Sequence, residues 1–153
     1  MYELWGGGAP FSPARNGKDL LDIRGATVRL LGISPEVLHM LRFSEEYKDT
    51  KVAWVSCTDE PAWADECLQK FKTIGGKDLK SCADSSHIYK ANKQTHFQNI
   101  KKEFNSSIEF NEMLFFDNEY GNIQSVQKLG VKCHFCPEGV TKSAWEEGLQ
   151  QFR

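Results

Sequence analysis

The stretch Met113–Asn118 reads MLFFDN, and the chain continues as EYGNI to Ile123. Its four apolar residues run without alternation into Asp117. Such a run is typical of a parallel strand that is buried on both faces. Ligand sites of open α/β sheets lie beyond the carboxyl ends of the strands, so the aspartate marks a candidate binding crevice. We expect it to serve a divalent cation and a phosphate.

The composition of the chain indicates one globular domain over residues 1–153. The sequence is 40% hydrophobic and 26% charged, with a net charge of -2. This balance gives no general attraction to nucleic acid or to an anionic membrane. No apolar run approaches the roughly 20 residues that a spanning helix needs. Five cysteines at irregular spacing favour reduced thiols. We therefore expect a cytoplasmic monomer that binds neither nucleic acid nor membrane.

Two regions are distinguished by their turn and helix signals. Residues 1–33 are rich in turn formers and predict a flap and hairpin region, with hairpin arms at Leu20–Ile23 and Val28–Leu31. Residues 34–153 predict an α/β core in which helices and strands alternate from a first helix to a last one, which favours a parallel sheet with helices on both faces. The predicted strands of the core are Lys51–Ser56, Ser86–Tyr89, Met113–Phe116 and Val131–Phe135.

The predicted helices of the core have recognisable starts. Ser34 is expected to cap the first helix, with proline at the next position. Thr58 or Asp59 is expected to cap the second, and Thr141 or Ser143 the last. A further helix is expected from Thr95 to Phe104, where apolar side chains recur at helical spacing.

Three polar residue types follow successive predicted strands. Ser56 follows the first strand, Lys90 and Lys93 follow the second, and Asp117 follows the third. The carboxyl ends of parallel strands meet at one edge of a sheet, so these side chains are expected to converge. A hydroxyl can donate to a phosphoryl oxygen, a lysine can offset charge, and an aspartate can hold Mg2+.

Each of these residues also has an ordinary structural interpretation. Ser56 is equally compatible with a turn or a cap, and Lys93 taken alone with a solvated surface lysine. Asp117 is compatible with a helix cap. A cap, however, does not require so apolar a strand before it. The combination of all three at successive strand ends favours the functional interpretation.

The order of these residues distinguishes two phosphate-handling families. Receiver domains place their acidic residues before the hydroxyl and the lysine, whereas this chain runs hydroxyl, lysine, aspartate. That is the order of motifs two, three and four of the haloacid dehalogenase superfamily, and the chain closely resembles its small magnesium-dependent phosphatases. The resemblance covers nearly the whole chain and rests on the succession SPEVLHML, VAWVSCTDEP, IYKANKQTHF, MLFFDNEYGNI and LGVKCHFCPEGVT.

The resemblance implies a role for each matched residue. Ser56 would bind the transferring phosphoryl group, with Cys57 beside it among the substrate-binding residues. Lys93 would orient the nucleophile and offset its charge. Asp117 would be a ligand of the Mg2+ cofactor, and Asn118 would stand where the family often has a second aspartate. The implied substrates are phosphorylated proteins, including those phosphorylated on tyrosine, or small phosphometabolites such as sugar phosphates.

The same resemblance predicts a Rossmann-like three-layer α/β core with a small hairpin flap. The Gly6–Pro10 stretch is compatible with that flap, with Trp5 and Phe11 flanking substrate, or with simple loop packing. The family reaction also needs an aspartate nucleophile in a DxDxT-like motif after the first, central strand. These 153 residues contain no such motif. We therefore expect an N-terminally incomplete phosphatase sequence, inactive in this form, with an unpaired gap between the strands that carry Ser56 and Asp117. The alternative is a non-catalytic phosphate-binding or interaction protein.

The cysteines give weaker signals. Cys57 lacks the C-x5-R pattern of cysteine phosphatases, because Trp63 stands where the arginine would be. Cys133 and Cys136 have CxxC spacing, but a zinc site needs about four ligands and no second pair is present. Buried free thiols are expected at both positions.

Overall fold

The computed structural model of the protein describes residues 2–3 and 7–152. Within this part of the chain, none of the helices has the length and apolar character that crossing a membrane requires. The strands are β1 (Tyr2–Glu3), β2 (Ser12–Pro13), β3 (Leu20–Leu21), β4 (Thr27–Leu30), β5 (Ala53–Ser56), β6 (Ser85–Ile88), β7 (Leu114–Asp117) and β8 (Lys132–Phe135). The α-helices are α1 (Ser34–Phe43), α2 (Pro61–Lys70), α3 (Lys93–Glu103), α4 (Tyr120–Gln127) and α5 (Lys142–Gln150).

The N-terminal region forms an antiparallel sheet in the order β1-β4-β3-β2. Its central pair joins β3 to β4, with Leu20 opposite Val28. The turn between them contains Gly25 at φ 80, a left-handed conformation that glycine adopts without steric cost. The predicted hairpin is therefore confirmed, although its first strand is two residues shorter than expected and its second begins one residue earlier.

From residue 34 onward the observed order is the predicted alternation of five helices and four strands. Strand β5 pairs in parallel with β6, and β7 pairs in parallel with β8. These pairs are two separate sheets among the described residues. The alternation alone predicted one sheet, whereas the lack of a first, central strand predicted an unpaired gap between β5 and β7, and the separation agrees with that gap. The strands that carry Ser56 and Asp117 therefore belong to different sheets.

Two apolar clusters form the interior. One joins the N-terminal sheet to α1 and α2 and includes Phe11, Leu20, Val28, Leu38, Cys67, Leu68, Phe71, Leu79 and Cys82. The other surrounds β7 and β8 and includes Phe97, Phe115, Ile123, Val126, Val131 and Cys133. Strand β5 lies between them, because Trp54 packs on the first cluster and Val55 on the second. Successive side chains of a strand point to opposite faces, which explains this division.

One consequence concerns the residues expected to flank substrate. Phe11 is almost fully buried in the first cluster, so its role is packing. Trp5 lies outside the described residues. Gly8 lies against the ring of Trp63, where an added Cβ would approach within 2.3 Å. The loop after Gly6 is thus packed closely onto α2.

The helix starts show where side-chain capping operates. Thr141 caps α5 as predicted, since its hydroxyl accepts a hydrogen bond from the backbone N–H of Ala144 at 3.1 Å. Ser34 is wrong as a cap, because it is the first residue of α1 and its hydroxyl donates to Leu31 O. Thr58 and Asp59 are also wrong, because α2 begins at Pro61 after Glu60 without a side-chain cap.

Candidate functional site

A buried ion pair joins Lys93 and Asp117. The Nζ atom of Lys93 lies 3.5 Å from Oδ2 of Asp117, and the two side chains are 5% and 7% exposed. The same Nζ donates a hydrogen bond to Val55 O at 3.1 Å. Lys93 therefore connects β5, which ends at Ser56, with β7, which ends at Asp117.

The local sequence brings Lys93 to this position. Helix α3 begins at Lys93, two residues before the predicted start, because Asn92 caps it by accepting the N–H of Thr95 at 2.8 Å. A cation at a helix N-terminus is unfavourable to the helix dipole. The position of Lys93 therefore destabilises its own helix. Its compensating interactions are the carboxylate of Asp117 and the carbonyl of Val55.

Asp117 is the last residue of β7, and its carboxylate is held by several donors. Oδ1 accepts the backbone N–H of Glu119 at 2.7 Å. The side-chain amide of Asn122 lies 3.2 Å from both Oδ1 and Oδ2. The alternative interpretation of Asp117 as a helix cap is not observed, since Asp117 closes a turn with Glu119 while α4 begins at Tyr120 without a side-chain cap.

Asn122 is a site residue that the sequence interpretation missed. It belongs to the first turns of α4, and its amide also lies 3.4 Å from Oε2 of Glu119. An amide that donates to a buried carboxylate fixes the orientation of that carboxylate. The only signal in the sequence was a polar residue five positions after Asp117.

Ser56 ends β5 and is half-buried. Its hydroxyl oxygen accepts a weak hydrogen bond from the N–H of Thr58 at 3.3 Å, which is the turn interpretation considered for this residue. The hydroxyl proton is left available for an oxygen of a ligand, since the bond to Thr58 uses the serine as acceptor. Cys57 follows directly as a half-buried free thiol.

Asn118 and Glu119 are exposed beyond the buried pair. Their position puts amide and carboxylate oxygens within the same loop as Asp117. Lys90 lies further out, where its ammonium pairs with Asp59 at 2.8 Å and its side chain is 81% exposed. The structure thus separates the two lysines that follow β6, since Lys93 is buried against Asp117 and Lys90 is solvated.

These residues fit one mode of magnesium binding. Within the described part of the chain, no group of three or more His, Cys, Asp or Glu side chains can hold a metal ion. Mg2+ commonly keeps several waters and takes one or two carboxylates together with substrate phosphate oxygens. Asp117 supplies one oriented carboxylate, whose Oδ2 faces the Asn122 amide at 3.2 Å and the Lys93 ammonium at 3.5 Å, so a cation bound there would replace one of these contacts. The arrangement therefore suits a cation shared with a phosphate and excludes a cage of these four residue types there.

The CxxC thiols are buried and free, as expected. Burial raises the pKa of Cys133 to about 12, with a further contribution from the charge of Asp117. Burial and the same carboxylate raise the pKa of Cys136 to about 11. A thiol is nucleophilic or metal-binding as its thiolate, so raised pKa values disfavour both functions here.

Comparison with known proteins places this geometry in context. A family model described as Acid Phosphatase matches residues 1–153. The human protein named Magnesium-dependent phosphatase 1 is 34% identical over 143 residues, which cover 94% of this chain and 74% of that protein. A HAD-like hydrolase superfamily protein of Schizosaccharomyces pombe is 31% identical over 127 residues, which cover 80% of this chain and 70% of that protein.

Proposed function

This chain belongs to the Acid Phosphatase family and to the haloacid dehalogenase superfamily, and we propose that it carries the phosphate site of a magnesium-dependent phosphomonoester hydrolase. One observation carries the proposal. Lys93 and Asp117 form a buried ion pair at the carboxyl ends of parallel strands, where a helix alone would not favour a lysine. Such a charged pair is costly to bury, and binding a phosphate and a cation gives it a purpose.

Each residue has a defined task in the proposed site. The hydroxyl of Ser56, with the adjoining Cys57, contacts an oxygen of the phosphoryl group. The ammonium of Lys93 offsets negative charge that develops on the phosphate and on a neighbouring carboxylate. Asn122 keeps the Asp117 carboxylate in one orientation.

Asp117 would hold Mg2+, with Asn118 as a second oxygen ligand from the same loop. When bound, Mg2+ supplies charge stabilisation to the phosphoryl oxygens without the transfer of a proton. The name of the human relative states magnesium dependence, which supports the choice of cation. An amide at Asn118 carries no charge, so Asp117 and the substrate phosphate would supply the negative charge that binds the cation.

The proposed substrates are phosphorylated proteins or sugar phosphates. The 153 residues contain no DxDxT-like motif, so we propose that they bind phosphate without forming an aspartyl-phosphate by themselves. The same feature favours a second candidate function, a non-catalytic phosphate-binding protein. The two functions share one ligand site and differ in turnover.

Two assays test the proposal on the purified chain. Calorimetric titration with inorganic phosphate in the presence of Mg2+ should give binding that Lys93→Met weakens at least about tenfold, because a desolvated charge partner of the anion is lost. The matched control is Lys102→Met, which removes an exposed lysine from the same helix and should leave the affinity unchanged. Ser56→Ala should also weaken binding and does not depend on the buried ion pair.

Hydrolysis of p-nitrophenyl phosphate separates the two functions. We expect no turnover that depends on Mg2+ from the 153-residue chain. Turnover that Asp117→Ala abolishes would overturn the proposed inactivity and establish the phosphatase. Equal phosphate affinity in the original chain, Lys93→Met and Ser56→Ala would reject this site altogether.

A further inference from the structure

His96 is a buried histidine in the first turn of α3, with one ring nitrogen bonded and the other without a partner. Its exposed fraction is 0%. The Nε2 atom lies 3.1 Å from Tyr89 O, and because a carbonyl only accepts, Nε2 carries the proton. The other ring nitrogen, Nδ1, is buried and has no hydrogen-bond partner in the part of the chain that the structure describes. An apolar side chain would fill the same space without this unsatisfied group, so packing alone does not explain a histidine here.

The residue that His96 binds lies between two parts of the candidate site. Tyr89 follows β6, and its N–H donates to Ser56 O at 3.1 Å. Its carbonyl accepts the bond from His96, which lies three residues after Lys93 in α3. Residues three apart in a helix are neighbours on its surface. Tyr89 therefore ties the helix start that carries Lys93 to the strand end that carries Ser56.

The side chain of Tyr89 is held as firmly as its backbone. Its hydroxyl accepts a hydrogen bond from the amide of Asn99 at 2.9 Å and lies 3.0 Å from Nδ1 of His87. Its ring meets the ring of His96 edge to face, with centroids 4.4 Å apart and planes at 79°. This arrangement is favourable for aromatic rings. Because Tyr89 is fixed in this way, its bond to His96 restrains the position of the helix start.

The ring of His96 is suited to this bond in its neutral form. Burial lowers the pKa of His96 below its ordinary value of 6.5, and the nearby Lys93 and His87 act in the same direction. The hydrogen bond to Tyr89 O opposes this shift without outweighing it. At neutral pH, Nε2 therefore donates to Tyr89 O while Nδ1 stays unprotonated.

We propose that His96 is a positioning residue of the phosphate site: through Tyr89 it holds the start of α3 against the end of β5, so that Lys93 reaches the phosphate. This inference rests on the proposed function and adds to it a residue that does not touch the ligand. Lys93 occupies the first position of α3, where its ammonium disfavours the helix. A helix start that is destabilised in this way needs an anchor, and the bond from His96 to Tyr89 O supplies one.

Calorimetric titration with inorganic phosphate and Mg2+ at neutral pH tests this role. His96→Leu removes the donor and should weaken binding about fivefold, the equivalent of one lost hydrogen bond. His96→Gln should keep the affinity within about twofold of the original chain, because its terminal amide replaces Nε2 as a donor to Tyr89 O. His96→Asn carries the same amide on a shorter side chain and should behave like His96→Leu.

His39→Leu is the matched control. The Nδ1 atom of His39 is also buried and has no hydrogen-bond partner among the described residues, but His39 belongs to α1 and packs beside Phe43. Its replacement should leave the affinity for phosphate unchanged. An equal loss of affinity in His39→Leu and His96→Leu would mean that a general loosening of the fold weakens binding, which overturns the inference.

A double variant tests whether His96 acts through Lys93. In a chain that already carries Lys93→Met, His96→Leu should cause no further loss of phosphate affinity, because the residue that it positions is gone. A residue that merely stabilises the fold would weaken binding by the same factor with or without Lys93. Additive losses in the double variant therefore overturn the inference.

The remaining outcomes separate this inference from the phosphate site. If the original chain binds phosphate and His96→Leu binds it equally well, the role of His96 is overturned and the phosphate site stands. If His96→Leu does not fold, the comparison of His96→Gln with His96→Asn decides, and equal affinities in these two variants overturn the inference. Failure of the original chain to bind phosphate overturns both proposals together.

Discussion

The two parallel strand pairs end in side chains that are held in opposite ways. At the end of β5, Ser56 is half-buried and its hydroxyl makes one long contact, with the N–H of Thr58 at 3.3 Å. At the end of β7, Asp117 is almost fully buried and its carboxylate is held by Glu119, Asn122 and Lys93. The hydroxyl is therefore free to reorient toward a ligand, whereas the carboxylate is fixed before any ligand arrives.

The same two pairs are also attached to the fold differently. Strand β6 is joined to α3 by a polar network, in which Glu103 accepts hydrogen bonds from Ser85 at 2.5 Å and from His87 at 2.8 Å. Strands β7 and β8 are instead enclosed by apolar side chains such as Phe115 and Val126. Lys93 contacts both halves, since it bonds to Val55 O and pairs with Asp117. The end of β7, where the carboxylate is fixed, and the end of β5, where the hydroxyl can reorient, thus meet at this lysine.

Removal of this connection should have the largest effect. We expect Lys93→Met to lower the free energy of unfolding by about 3–5 kcal/mol, because it leaves a buried carboxylate without its charge partner. Urea unfolding of the variant measures this loss. The control Lys102→Met, on the exposed face of the same helix, should stay within about 0.5 kcal/mol of the original chain.

A double variant tests whether the loss comes from the unpaired charge. Lys93→Met combined with Asp117→Leu removes both charges and should recover much of the stability, since apolar replacements of a buried pair are often neutral or better. A loss below about 1 kcal/mol in Lys93→Met alone would mean that the carboxylate reaches solvent, and the contrast between the two strand ends would disappear.

Much of this architecture is predictable from local patterns, for reasons visible in particular residues. The unbroken apolar run before Asp117 identifies a buried strand, and the spacing of apolar residues after Lys93 identifies a helix. The alternation of these elements is observed. Lys93 and Asp117 are brought into contact, as expected for residues that follow the carboxyl ends of successive strands. Their catalytic and metal-binding roles stay predictions.

Other features depend on contacts that no local pattern specifies. The sequence around Asn122 does not reveal that its amide faces Asp117, because many polar residues near a helix start face solvent. Because Asn92 caps α3, this helix begins two residues earlier than the spacing of its apolar residues predicts. The division of the strands into two sheets was expected from the family resemblance, because the strand that would join β5 to β7 is missing from the described residues, and not from the periodicity within each strand.

A substitution at Asn122 releases the Asp117 carboxylate from one hydrogen-bond donor without removing the charges of Asp117 and Lys93. We expect Asn122→Ala to lower the free energy of unfolding by about 1.5–3 kcal/mol, the usual worth of a hydrogen bond to a charged group. Binding of Mg2+ and phosphate should weaken as well, because the carboxylate loses one constraint. Asn122→Asp is the informative companion, since it retains the size of the side chain and adds repulsion. Unchanged stability and binding in both variants would show that Asn122 does not position Asp117.

The polar attachment of β6 should respond to pH. Hydrogen bonds from Ser85, and then from His87, lower the pKa of Glu103 below its ordinary value of 4.5. A lowered pKa in the folded state contributes stability above the ordinary value, and this contribution is lost as the pH falls through the folded value. Because Glu103 is 46% exposed, solvent screening limits the effect to about 1 kcal/mol or less.

Glu103→Gln provides the measurement. The original chain should be more stable than the variant at pH 7, and the difference in the free energy of unfolding should narrow below pH 4.5. Ser85→Ala removes the leading hydrogen-bond donor and should reduce the pH-dependent difference. A difference that stays constant from neutral to acidic pH would contradict a role for the ionised carboxylate.

The smallest effect on stability is expected at Ser56, where it sharpens the contrast with Asp117. Ser56→Ala removes a single long contact from a half-buried side chain, so the free energy of unfolding should change by no more than about 0.5 kcal/mol. Asp117→Ala should instead cost several times more, because it leaves the ammonium of Lys93 buried without its charge partner. Both variants should nevertheless weaken phosphate binding. If Ser56→Ala destabilised the fold as much as Asp117→Ala, the hydroxyl would be a structural element like the carboxylate, and its availability to a ligand would no longer follow.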